Sequence, residues 1–135
     1  MNRIAALLSI VLTCPFAFAA DWTAYRADSQ RSGYTSDTLS QNLALKWTWM
    51  PKHGPHPAWP RDERMSFDRA NHVVIADGLV CFGSSADSSV TALDATTGIV
   101  HWNFITGGPV RFAPTVWEDR LFVTSDDGYL YALRL

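Results

Sequence analysis

His53 and His56 stand three residues apart, a spacing that metal ions use, and Asp126 and Asp127 set two carboxylates side by side in Ser125-Asp126-Asp127-Gly128, a grouping that could hold calcium. Arg61, Asp62, Glu63 and Arg64 place acids between bases. Each group also has a plainer use. Neither a Cys nor a third His accompanies His53 and His56, and Pro51, Pro55, Pro57 and Pro60 prevent the helix that would align them, so a solvated loop accounts for the pair. Two Asp before a Gly form a hairpin turn, and an Arg-Asp-Glu-Arg run reads as charged surface. No metal site is expected. The two cysteines, Cys14 and Cys81, are too far apart in kind to be read together: one lies in an apolar leader and the other in an alternating apolar strand.

The elements that carry these residues begin with a leader. Arg3 supplies a basic start, Ile4 to Leu12 an apolar run of nine residues, and Ala17-Phe18-Ala19 a small-x-small cleavage pattern. Residues 1–19 are thus expected to be a signal peptide and the protein to be exported, periplasmic or secreted. Nine apolar residues are too few to span a bilayer, so no transmembrane segment is expected after cleavage. Cys14 opens a second possibility, a lipid-anchored start, although Thr13 stands where lipoprotein signals usually carry Gly, Ala or Ser. If Cys14 leaves with the leader, Cys81 is left without an intrachain disulfide partner and serves as a small apolar strand residue.

Composition narrows the class. In 135 residues, 47% are hydrophobic and 13% aromatic, enough for one core-forming domain. A formal net charge of −2 with scattered Lys and Arg leaves no electrostatic footprint for nucleic acid.

Spacing then supplies the architecture. The stretch from Asp77, "DGLVCFGSSADSSVTALDATTG", superposes on "EDRLFVTSDDGYLYALRL" from Glu118 at an offset of 41 residues, which becomes 40 after the intervening turn, where Ala92-Leu93 meets Ala132-Leu133. A repeat of about 40 residues made of short apolar runs and turn residues fits four-stranded propeller blades. Asp94 to Gly98 reads as a turn: the Asp carboxylate accepts from nearby backbone N–H groups, Thr97 can do likewise, and Gly98 supplies the left-handed position. Beyond it, Val100, Trp102 and Phe104 are expected on one strand face, with Trp102 filling the space between neighbouring sheets.

The segment "ALDATTGIVHW" from Ala92 to Trp102, with Ala92, Asp94, Thr97, Gly98 and Trp102 as its fixed points, followed by "TGGPVRFAP" and "SDDGYLYAL", resembles the repeat of pyrroloquinoline quinone (PQQ) type β-propellers. The resemblance implies an all-β, partial β-propeller of about two four-stranded antiparallel blades. Residues 71–135 are expected to hold one full and one incomplete blade, and residues 20–70 an extension with one strand at 43–50 and a Pro-rich loop. In "LALKWTWM", Trp47 matches Trp102, and such an N-terminal strand would close the last blade of a longer chain, of which this sequence is expected to be the N-terminal segment.

In a propeller the loops from outer to inner strands surround one mouth of the channel, which makes Arg69 and Arg111 the cationic candidates for cofactor or ligand binding; salt bridges are the competing use. The family includes quinone-dependent dehydrogenases, outer-membrane assembly lipoproteins and propellers that bind no quinone. The reading preferred is a binding or scaffold module, with a protein or small-molecule ligand at the propeller mouth and no catalysis in this segment. The alternatives are the N-terminal segment of a PQQ-dependent dehydrogenase, where PQQ and calcium would be cofactors of the full-length protein, and a lipid-anchored assembly factor acylated on Cys14. The dehydrogenase marks, a calcium cluster, a catalytic Asp and a disulfide of adjacent cysteines, are not recognisable in the sequence.

Overall fold

The computed structural model describes residues 21–58 and 70–135. The leader, Cys14, the charged run at 61–64 and Arg69 lie outside them.

Among the described residues, seven strands form two antiparallel sheets and there is no helix. The first sheet has the order β1 (Val73–Ala76), β2 (Leu79–Ser84), β3 (Ser89–Asp94), β4 (Val100–Ile105); the second has β5 (Thr115–Trp117), β6 (Arg120–Thr124), β7 (Leu130–Arg134). Consecutive strands pair throughout, as in one complete and one incomplete propeller blade. The hairpins follow from turn residues. Asp77 and Gly78 both take positive φ, 49° and 72°, as a two-residue turn matched to the strand twist requires, and Glu118 repeats the left-handed entry at 53°. The shared backbone bonds mark the repeat: Ala95 N donates to Gly78 O at 2.8 Å and Leu135 N to Asp119 O at 3.0 Å.

Strand alternation divides each sheet into two faces. On one face of the first sheet, Val74, Cys81, Ala92 and Trp102 lie side by side across all four strands. With Val90 they pack on Val116, Leu121, Val123 and the partly buried Leu133 and Leu135 of the second blade, forming the core. The opposite face carries Phe82, Thr91 and Leu93, all buried, because the N-terminal extension lies over it: the Trp49 ring packs on Phe82 with centroids 4.6 Å apart, and Trp47 packs on Gly98.

Two expectations are corrected. Leu43–Met50 is not a strand, since no ladder partner stands beside it among the described residues; its apolar alternation instead lays aromatic side chains flat on a sheet face. A register shift between Ala92 and Leu93 pairs Val100 with Leu93, so Val100 points away from the Trp102 face and is half exposed.

A strap formed by the start of the described chain ties the blades together at their inner edges. Trp22 exchanges two backbone hydrogen bonds with Ile75 of β1, at 2.7 and 2.9 Å, and Val116 N of β5 donates to Thr23 O at 2.7 Å.

Gly83 shows how tightly the blades meet: a Cβ placed there would lie 2.8 Å from Val110 Cβ and still closer to its Cγ1. Gly83→Ala is expected to destabilise the full-length protein by about 1–3 kcal/mol. Urea unfolding should show that adding Val110→Ala to it costs less than the two single changes combined.

Candidate binding site at the inter-blade loops

The connection from β4 to β5, residues 106–114, crosses from the outer strand of one blade to the inner strand of the next, and it meets the β2–β3 and β6–β7 turns at the same end of the sheets. Small residues make this crossing possible. Thr106 N donates to Ser88 O at 2.8 Å, and Val110 N to Ser84 O at 3.2 Å, anchoring the loop to the first blade. On the other side Asp126 N donates to Pro109 O at 2.9 Å and Ser125 Oγ to Gly108 O at 2.9 Å. A Cβ on Gly107 would lie 2.8 Å from Asp127 Oδ2, and one on Gly108 2.8 Å from Asp127 N, so the paired glycines let the two backbones touch.

Asp127 is the centre of the second turn. Its Oδ2 accepts from Gly107 N at 2.8 Å and from the Tyr131 hydroxyl at 2.6 Å, and its Oδ1 from Tyr129 N at 3.0 Å. The Tyr131 hydrogen bond is the foremost cause holding its carboxyl below the ordinary value, and the same bond pushes the Tyr131 phenol up. At the opposite end of the first sheet Asp94 organises the β3–β4 turn, as its spacing predicts: Oδ1 accepts from Thr97 N at 2.7 Å, Thr97 Oγ1 at 2.8 Å and Thr96 N at 2.9 Å, and Gly98 takes φ 73°. Thr97, chiefly through its hydroxyl, lowers the Asp94 pKa. Trp47 completes the motif by stacking on Gly98 and donating from Nε1 to Ala95 O at 3.1 Å. Trp102 packs against the core shared by the two blades, as Leu133 and Leu135 also do; its Nε1 is buried and has no hydrogen-bond partner among the described residues. Cys81 is buried beside it in the core, and burial pushes its thiol up to about 11, which keeps it protonated and unreactive.

Arg111 joins three segments at this end. Its side chain is 13% exposed, with Nε paired to Asp126 Oδ2 at 2.6 Å and Nη1 donating to His56 O at 2.7 Å. The Pro-rich loop is thereby held against the blades: His56 N donates to Ser85 Oγ at 2.8 Å, and His53 Nδ1 lies 2.7 Å from Asp87 Oδ1, the foremost cause lowering the Asp87 pKa. The His53 ring is thus committed to Asp87 and the His56 backbone to Ser85 and Arg111, and no group of three or more His, Cys, Asp or Glu is placed to hold a metal ion among the described residues. The donor set does not fit a calcium and quinone pair. The paired carboxylates of Ser125-Asp126-Asp127-Gly128 are committed to Arg111, Gly107 and Tyr131, and a cation between them would have to break those bonds.

Sequence reasoning did not single out Gly83, Gly107, Gly108 or Tyr131, whose roles depend on contacts between blades; the doubled glycine after Thr106 was the available signal for a close backbone approach.

Residues 35–134 match a family profile of PQQ-like repeats described as "Outer membrane protein assembly factor BamB". No curated protein matches the chain. No helix among the described residues is long and apolar enough to cross a membrane.

The turn carboxylates give the fold an acid-sensitive component. Asp87, Asp94 and Asp127 have folded-state pKa values below the ordinary 3.8, so each contributes stability that is complete above that value and is lost as pH falls through it. The thermal midpoint of the full-length protein is expected to drop on acidification from about pH 5 to pH 3. Asp94→Asn and Asp127→Asn should each flatten that drop, read by circular dichroism.

Proposed function

Because the chain belongs to the family of PQQ-like propeller repeats, we propose that it is an exported propeller-repeat protein that acts as a binding or scaffold module, with no catalytic site in this segment. The observation that carries this reading is where its carboxylates are spent. Asp87, Asp126 and Asp127 accept hydrogen bonds or an ion pair from the chain's own turns and loops, which rigidifies the end of the blades where the inter-blade loop crosses, and Asp94 is likewise committed to its own turn at the opposite end. A catalytic or metal-holding carboxylate needs oxygens aimed at a ligand. Arg111, braced by Asp126 and His56 O, likewise builds the platform. Rigid loops on a stacked-sheet scaffold are a common support for recognition.

The leader pattern of residues 1–19 supports export, to the periplasm or beyond the cell. Full-length protein incubated with PQQ and calcium is expected to give no quinone-dependent dye reduction with alcohol or aldose substrates; sustained reduction would establish the dehydrogenase reading instead.

A second reading is favoured by the description of the matched family, an outer membrane protein assembly factor. It makes the module a lipid-anchored protein-binding propeller, acylated on Cys14. Metabolic labelling with a radioactive fatty acid separates the two: incorporation that disappears in Cys14→Ala supports the anchor, whereas an unlabelled protein of cleaved mass supports simple export.

A further inference from the structure

The strap is more than a tie between blades. After Thr23 it turns back on itself, with Ala27 N donating to Ala24 O at 3.1 Å and Gly33 N to Arg26 O at 2.9 Å. Arg26, Ala27 and Arg31 take left-handed φ values of 60°, 80° and 57°, a conformation that disfavours side chains and that the surrounding bonds must enforce. Asp28 fixes the loop by accepting from Ser32 N at 3.0 Å and Ser32 Oγ at 2.5 Å, which hold its carboxyl below the ordinary range and therefore ionised. Between this loop, the entry to β1 and the entry to β5 lies a cleft of about 640 Å³. Its size falls within the range of small-molecule sites.

We propose that this cleft binds a neutral saccharide through Tyr25, Asp28, Arg31, His72, Phe112 and Thr115, which line it. The proposal names the ligand of the binding module proposed above and rests on that reading. Phe112 is 72% exposed and Tyr25 48% exposed, so two ring surfaces stand in water at the cleft, and the Tyr25 ring is set edge-on against His72 with centroids 5.3 Å apart. Water-exposed rings offer apolar area to the C–H face of a pyranose. The polar groups around them differ in kind: Arg31 donates, the Thr115 hydroxyl does both, and Asp28, each of whose oxygens already accepts one bond from Ser32, accepts through its remaining lone pairs. A sugar hydroxyl, itself donor and acceptor, can satisfy any of the three. The lining carries one carboxylate and one guanidinium, Asp28 and Arg31, so it has no net charge to favour an anionic ligand over a neutral polyol. None of these six side chains belongs to the hydrophobic core of the blades.

Isothermal titration of the full-length protein with maltose, cellobiose and N-acetylglucosamine, and with benzoate as the anionic comparison, tests the site. Saturable binding of at least one sugar is expected, with dissociation constants on the order of 1 mM. Phe112→Ala should weaken it about tenfold and Phe112→Trp should retain it, because the ring surface carries the contact. Arg31→Gln, which changes an exposed position, should weaken the sugar as well, with circular dichroism confirming that each variant is folded. Flat isotherms for all three sugars up to about 50 mM, binding of benzoate in their place, or sugar binding indifferent to Phe112→Ala would each overturn the proposal. Those failures leave the non-catalytic reading standing, while PQQ-dependent dye reduction would remove that reading and leave the sugar isotherms as they are.

Discussion

The burial of one sheet face against the next governs this structure. Each sheet comes from a stretch shorter than about 40 residues, too short to bury much of its own surface, and each carries a face of Val, Leu and Ala that water would penalise. Stacking Val74, Cys81, Ala92 and Trp102 on Val116, Leu121 and Val123 removes both faces from solvent at once. Close packing at that seam explains the glycine at 83, where the facing Val110 leaves no room for a methyl group. It also explains why the connecting loop is pinned at both ends, because a sheet that shifts by one residue against its neighbour would expose the residues it is meant to cover.

The same logic accounts for the N-terminal extension. The second face of the first sheet holds Phe82 and Leu93 at 3% and 1% exposure, although no third sheet covers it among the described residues. Trp49 and Trp47 supply the missing surface, the first by ring packing and the second by sitting on Gly98 with its indole N–H satisfied by Ala95 O. Trp47 therefore covers the β3–β4 turn and Trp49 the sheet face, and the extension takes the place of a covering layer without forming a hydrogen-bonded ladder among the described residues.

What could be read from the sequence was local or periodic. The Asp94 turn was legible because its bonds span three residues and depend on residue type alone, and the blade pattern was legible because it recurs near 40 residues. The place of Trp102 followed from strand alternation, but the same rule misplaced Val100, since an irregular register between Ala92 and Leu93 leaves no mark in the pattern of apolar residues. Leu43–Met50 had the alternation of a strand, and alternation cannot distinguish a chain that pairs in a ladder from one laid across a sheet. The site was less legible still. Arg111 was singled out for its place in an inter-blade loop, yet its bonds to Asp126 and the His56 carbonyl, and the cleft around Tyr25 and Phe112, come from segments far apart in sequence.

The backbone bond from Val116 to Thr23 joins the first residues of the described chain to a strand of the second blade. A bond between residues so far apart in the chain gains little until the strands between them have docked, so it is expected to form after they do. During synthesis the amino-terminal residues emerge before the strands that will receive them, and they must wait, unpaired, until both sheets have docked. The order of synthesis and the order of assembly are therefore opposed in this protein, and the last stitch is made with the first thread.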